Sequence, residues 1–347
     1  MTKPKIFYAV QATGNGHVSR AQQLYPYLKQ FGEVDFFISG NNANLDFKLP
    51  IKYRSKGCSL HYSKCGGLNY FDVIKNIKPF MMYKDAKSLP LENYDVIIND
   101  FDFVTSLACK LKKLPSVQLG HQASFQSDAT PRPDKKSLMG ETILKHYAHA
   151  TKHIGFHFQK YDSFVLPPVI KEEFINAQPT DLNHVTVYLP SFQKHCLLEA
   201  FNKLPHIQFH WFLDAIESIR TEKNITYYPI NQALFNKSLL SCHGLITGGG
   251  FETPSEALYL GKKLISIPIK NHYEQQCNAA AIQKMGVKVL QDIGDDFSEV
   301  VEKWFSENNN NPKVEANNIN QTLELLFDTY PKKDSESNYF FLSNSVT

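Results

Sequence analysis

The sequence predicts an α/β protein of two doubly wound, mostly parallel sheets joined by a proline-rich linker. Three observations carry that prediction. The chain has 347 residues, more than one core usually fills, since single cores stop growing at about 250–300 residues. Short β-branched and aromatic runs alternate with helical patterns, first over residues 1–164 and again over 184–330, which is the pattern of βαβ units. Between them Val165-Leu-Pro-Pro-Val-Ile170 and the polar KEEFINAQPTDLN form residues 165–183. They read as a linker, because adjacent prolines fit neither a helix interior nor a central strand.

In order along the first half, Lys5–Val10 reads as a strand, and Thr13-Gly14-Asn15-Gly16-His17 as the turn after it. A helix follows through Leu24, Tyr27 and Leu28; Val34–Ile38, Tyr94–Asn99 and Ser116–Leu119 are later strands. In the second half, strands are expected at His184–Leu189, His206–Leu213, Ile225–Ile230, Gly244–Thr247, Lys263–Ile269 and Val287–Leu290. Helices are expected at Gln193–Lys203, from about Thr253, over Tyr273–Met285 and over Glu315–Phe327. Residues 331–347 read as a polar, partly disordered tail.

Composition is that of an ordinary globular protein, 42% hydrophobic and 20% charged. No apolar run approaches the ~20 residues of a membrane span, and the opening segment is too short for a signal peptide. The expectation is a cytoplasmic protein, at most peripheral at the inner face of a membrane. Six cysteines without a CxxC pair read as free thiols, with Cys58–Cys65 the one pairing that spacing allows. Residues 1–165 carry 22 Lys+Arg against 13 Asp+Glu (+9), and the remainder 15 against 21 (−6). A basic first half suits an anionic partner, or a membrane surface carrying one, and equally an ordinary solvated surface. Nothing beyond this charge points to nucleic acid.

The densest chemistry lies in Thr247–Ala280. Gly248-Gly249-Gly250 falls between a strand and a helix, where glycines let backbone approach a ligand and the helix start offers free N–H groups to an anion. Thr253 and Ser255 add hydroxyls there. Glu256, within the first turns of the same helix, is placed to accept hydrogen bonds from ribose hydroxyls, or simply to complement the helix dipole. Glu274-Gln275 opens the next helix, and a carboxylate beside an amide suits a sugar ring.

This segment resembles the donor-binding signature of inverting GT-B glycosyltransferases, including the MurG-like enzymes and the UDP-glycosyltransferases. The shared features are Gly248-Gly249-Gly250, Ser255-Glu256-Ala257, Gly261-Lys262-Lys263, Ile267-Pro268 and Glu274-Gln275-Gln276-Cys277-Asn278-Ala279, with Lys263 where proline is usual. The resemblance implies two Rossmann-like domains facing across a cleft. It also implies a nucleotide-sugar donor, most naturally a UDP-sugar: glycines and Thr253 at the diphosphate, Glu256 at the ribose, Glu274 and Gln275 at the sugar, and backbone near Ile230 at the base. No metal and no cofactor beyond this co-substrate is implied.

In the first half, Gly14-Asn15-Gly16-His17-Val18-Ser19-Arg20 is similar to a G-x-G-H-x-x-R variant of the same fold. In UDP-glycosyltransferases a His here is the general base, held by an Asp from a later strand end. The matching residue is Asp100, with Asp102 as a rival; Gly14 and Gly16 would face the donor. An imidazole titrating near neutrality suits removal of a hydroxyl proton, and a carboxylate fixes its tautomer. Arg20 and His121 are candidates for a phosphate or the acceptor. Retaining relatives carry two glutamates eight residues apart, whereas the positions eight after Glu252 and Glu256 are Leu260 and Leu264, which favours inversion.

Other features carry weaker signals. Asn69–Lys84 reads as a helix packed on the first sheet, or as an interfacial helix. His146, His149, His153 and His157 tempt a metal reading, but span a helix end and a strand. Two rival functions remain: an epimerase of UDP-N-acetylhexosamine, and a non-catalytic nucleotide-sugar-binding subunit.

Overall fold

The computed structural model describes residues 3–12, 14–40, 49–56, 79–214 and 216–330. Thr13, Cys58, Cys65, residues 69–78 of the expected helix and the tail 331–347 lie outside the described residues.

The first sheet holds β1 (Lys5–Gln11), β2 (Glu33–Ser39), β3 (Ile51–Ser55), β4 (Val96–Asp100), β5 (Val117–Gly120), β6 (Lys152–Phe156) and β7 (Val165–Leu166). Their order is β3-β2-β1-β4-β5-β6-β7, with every pair parallel. The second holds β8 (His184–Tyr188), β9 (Gln208–Leu213), β10 (Arg220–Glu222), β11 (Ile225–Pro229), β12 (Gly244–Gly248), β13 (Lys263–Ile267) and β14 (Lys288–Val289). Its order is β10-β11-β9-β8-β12-β13-β14. It is parallel except for the β10–β11 hairpin. Both orders contain the 3-2-1-4-5-6 arrangement of a doubly wound nucleotide fold.

Alternation along β1 explains its continuous apolar run. Ile6, Tyr8 and Val10 pack under the helix Asn15–Phe31 through Val18, Ala21, Leu24 and Leu28. On the opposite face, Phe7 and Ala9 pack with Ile97, Val104 and Ala108. A strand covered on both faces shows no polar alternation. The second core repeats the device, with Val185, Val187, Phe209 and Trp211 against Leu197 and Phe201 of the helix Lys194–Asn202.

Two short strands escaped the sequence reading, and one expected helix packs elsewhere than its place in the chain suggested. All three residues of β10 are exposed, so no apolar period marks it. The edge strand β7 has two residues inside the stretch read as linker, and Pro167-Pro168 ends it. The helix Ile319–Thr329, grouped by sequence with residues 184–330, packs on the first domain. Its Phe327 stacks on Phe31 with ring centroids 4.6 Å apart. The following Tyr330 hydroxyl accepts from the Ile97 amide at 3.0 Å and donates to the Pro115 carbonyl at 2.8 Å.

Of the expected helix 69–84, the described part belongs to Pro79–Ser88, which turns Met82 and Ala86 into the core and leaves Phe80 exposed. Among the described residues no helix is long and apolar enough to cross a membrane.

Candidate active site

Ligands of doubly wound sheets bind beyond the carboxyl ends of strands where the winding direction reverses. In the first sheet that point lies between β1 and β4, in the second between β8 and β12. His17, Asp100 and the turn Gly248-Gly249-Gly250 lie at these two points.

On the first domain, Gly14 precedes the helix Asn15–Phe31, so His17 sits in its opening turn. Asp100 ends β4 in register with Val10. His17 Nδ1 lies 2.8 Å from Asp100 Oδ1. Arg20, 3% exposed, donates from Nη2 to both Asp100 oxygens at 2.8 Å and from Nε to Oδ2 at 3.2 Å. Burial pushes the Asp100 carboxyl up, but Arg20 and His17 outweigh it and leave the group below its ordinary value. Burial pushes the His17 imidazole down, yet the Asp100 charge and hydrogen bond carry it above the ordinary 6.5.

The rival Asp102 is engaged elsewhere. Its carboxylate accepts from the Thr105 amide at 2.6 Å, capping the helix Phe103–Lys112, and from the Ser39 hydroxyl. Between the two aspartates Phe101 has φ 56°, the left-handed region a bulky residue rarely takes. That turn sends Asp100 toward His17 and Asp102 into the helix cap. Gly120 closes the cluster from β5, where a Cβ would lie 2.5 Å from Asp100 Oδ1.

On the second domain, a cavity of about 130 Å³ is lined by the loop after β8, by Gly248, Gly250 and Thr253, and by Ile269 and Gln275. Gly249 and Gly250 divide their work. A Cβ on Gly250 would meet nothing within 4 Å, so its backbone faces open space. Gly249 is needed for packing, since its Cβ would lie 2.8 Å from the Gln275 carbonyl oxygen. Gln275 Oε1 in turn accepts from the amides of Gly249 at 3.2 Å and Ile269 at 3.0 Å, fixing the loop. The Ser255 hydroxyl, expected at a phosphate, instead donates to the Phe251 carbonyl at 2.8 Å. Ile230 follows β11 and is half-buried.

Glu256 is buried, 2% exposed, with Lys171 Nζ 3.0 Å from Oε1. Lys171 comes from the linker and also donates to Asn236 at 3.3 Å. Burial pushes the Glu256 carboxyl up, and Lys171 only partly offsets this.

Several pairs cross the cleft. Arg20 Nη1 donates to Glu252 Oε1, and Gln122 Nε2 donates to Glu274 Oε1 at 3.0 Å. Tyr273 donates to Glu141 at 2.7 Å. His121, a candidate for acceptor contact, is 1% exposed and stacks on Phe251 at 3.9 Å. Its ring nitrogens are taken up by the Phe156 carbonyl at 2.9 Å and Asn278 Oδ1 at 2.8 Å, so the structure places it inside the domain interface. Burial pushes His121 down, with Glu274 opposing. Burial also pushes Glu274 up, but the imidazoles of His121, His272 and His17 outweigh it, and the carboxyl lies below its ordinary value.

Lys171, Gln122, Glu252 and Asn278 received no role from sequence. Glu252 sits at a helix start, where an acidic residue is unremarkable, and nothing local announces Arg20 as its partner. His146, His149, His153 and His157 do not assemble a site. His157 packs 5.1 Å from His121, and among the described residues no group of three His, Cys, Asp or Glu is arranged to hold a metal.

The architecture agrees with that of known proteins. The chain is 23% identical over 328 residues to an uncharacterized glycosyltransferase of Methanosarcina mazei, spanning 81% of this chain and 84% of that protein. The glycosyltransferase SnogD from Streptomyces nogalater superposes with TM-score 0.53 at 14% identity, over 94% of this chain and 99% of that one. Phytolacca americana UGT2, solved with UDP-2fluoro-glucose and pterostilbene, gives TM-score 0.57 at 12% identity, over 97% and 96%. At such identities the likeness shows the fold, which is GT-B. Residues 4–307 match the family described as Glycosyl transferase family 1, and the chain belongs to that family of glycosyltransferases.

Proposed function

We propose that the chain transfers a sugar from a UDP-sugar to a hydroxyl group with inversion, His17 acting as general base. The contact that carries this reading is His17 Nδ1 to Asp100 at 2.8 Å, with the open backbone of Gly250 on the second domain proposed to take the donor. With the Nδ1 proton directed at Asp100, the Nε2 lone pair is left to receive a proton. The acceptor hydroxyl gives its proton to Nε2 as its oxygen bonds to the anomeric carbon, and the diphosphate leaves with the electron pair.

Charge balance supports the role. Asp100, Glu252 and Arg20 sum to −1, so the cluster becomes neutral when His17 takes up a proton. On the donor side, N–H groups at the start of the helix Glu252–Tyr259 would stabilise the departing diphosphate without a divalent ion. Gly14 would flank it from the first domain, whereas Gly16, expected from sequence to face the donor, is covered by the Glu252 carboxylate; Thr253 and Gln275 line the cavity. Glu256 would meet the ribose while remaining neutralised by Lys171, and the backbone around Ile230 would meet the base. Glu274, held by Gln122, would take sugar hydroxyls. The basic first half suits an anionic or lipid-linked acceptor, with at most peripheral membrane contact.

A thermal-shift screen with UDP-, GDP- and TDP-sugars, repeated on Glu256→Gln, tests the donor site; Gln is chosen because Ala would leave more unfilled space beside Lys171. Stabilisation by UDP-sugars that weakens in the variant is expected, and no stabilisation by any of them would sink the reading. Turnover of the UDP-sugar without an acceptor would favour an epimerase. Retention of the anomeric configuration in the product would exclude the His17 mechanism.

A further inference from the structure

Glu252 belongs to the second domain, yet its carboxylate lies over the first turn of the first domain's opening helix. A Cβ on Gly16 would be 2.5 Å from Glu252 Oε2. The carboxylate receives Arg20 Nη1, and Arg20 Nη2 lies 2.8 Å from Asp100 Oδ1 and 3.0 Å from His17 Nδ1. A continuous chain of charged groups thus runs from Glu252 through Arg20 and Asp100 to His17. Its first member arrives only when the two domains are together.

We propose that Glu252 is a positioning residue that sets the basicity of His17 across the cleft by neutralising Arg20. Without Glu252, the Arg20 cation and the Asp100 anion cancel, and Glu274, held by the neutral Gln122 amide, is the negative charge left facing a protonated His17. With Glu252 in place, one more negative charge remains for the imidazolium. At these separations and with His17 only 13% exposed, Coulomb coupling between partly buried charges is strong enough to move a titration measurably. The Glu252 charge does raise the His17 value, as Asp100 does more strongly. The other groups facing His17 are Gln122, whose Nε2 is 3.5 Å from His17 Nε2, the Glu274 carboxylate, and, beyond Asp100, the buried Tyr8 hydroxyl. None of these supplies a charge that would replace Glu252 next to Arg20. Base strength is thereby coupled to domain contact, so that His17 is a better proton acceptor when the donor domain is seated against it.

This inference rests on His17 being the base, but its test does not require turnover. Side-chain ¹⁵N NMR of histidine-labelled full-length protein, with the His17 signal assigned by its loss in His17→Gln, gives the titration midpoint directly. Glu252→Gln is expected to lower that midpoint by about half a pH unit or more. Gly16→Ala is a second variant, and Ala is favoured in a helix. Its methyl displaces the Glu252 carboxylate without removing charge, and a smaller shift in the same direction is expected. Unchanged midpoints in both variants would overturn the inference while leaving the glycosyltransferase reading intact. Failure of the donor screen would leave this electrostatic coupling measurable all the same.

Discussion

Lys171 in the connecting segment holds Glu256 of the second domain through a 3.0 Å ion pair, and both residues are largely removed from solvent. A buried carboxylate whose partner is deleted is strongly unfavourable, of the order of 3–5 kcal/mol. Lys171→Met should therefore destabilise the protein by about that much at neutral pH. Since the Glu256 carboxyl is already pushed up by burial, the folded variant binds a proton that the unfolded chain releases. Its stability should fall as pH rises from the ordinary carboxyl value toward the higher folded one. Urea unfolding at pH 5 and pH 8 checks this: a smaller gap from wild type at pH 5 is expected.

The His17–Asp100 pair gives two pH dependences. As the proposed base, His17 must be unprotonated to act, and its value lies above 6.5, so kcat/KM should climb with pH through a midpoint above 6.5 and be lost below it. Stability runs the opposite way. The raised His17 value stabilises the fold fully below the unfolded value and ceases to do so as pH rises through the folded one. The lowered Asp100 value contributes above about 3.8 and is lost as pH falls through the folded value. A rate profile flat between pH 5.5 and 8 would contradict the assignment.

Asp100 and Asp102 should separate cleanly on mutation. Asp100→Asn should reduce turnover by roughly 10²–10⁴-fold with donor binding retained. Asp102→Ala removes a helix cap and should cost about 1–2 kcal/mol of stability, without moving the His17 titration midpoint. Turnover measured at saturating donor, alongside thermal unfolding, distinguishes them; a rate loss confined to Asp102→Ala would reverse the roles.

The glycine turn offers a paired test. Gly249→Ala drives a Cβ against the Gln275 backbone and should destabilise by roughly 1–3 kcal/mol. Gly250→Ala meets nothing in the protein, so its unfolding temperature should stay near wild type while UDP binding weakens. Thermal melts with and without UDP measure both, and equal binding by wild type and Gly250→Ala would remove that backbone from the donor site.

Much of this was legible in the sequence. The two strand–helix alternations predicted both sheets, because a strand buried on both faces must be a short apolar run and its crossover helix must be amphipathic. Gly250 and Glu274 stood out because strand-to-helix turns place side chains and free N–H groups at the strands' carboxyl ends, a local consequence of the fold; His17 and Asp100 were singled out through the resemblance to GT-B relatives. What only tertiary structure decided was which charges meet. His17–Asp100, Lys171–Glu256 and Arg20–Glu252 join residues 83, 85 and 232 positions apart, and such separations leave no periodic signal. The choice between Asp100 and Asp102 turned on one left-handed residue, Phe101. The division of labour between Gly249 and Gly250 turned on how closely the neighbouring helix packs. Local residue patterns fix where the chain is extended, coiled or turned; the burial that makes an ion pair matter exists only once distant elements have packed together.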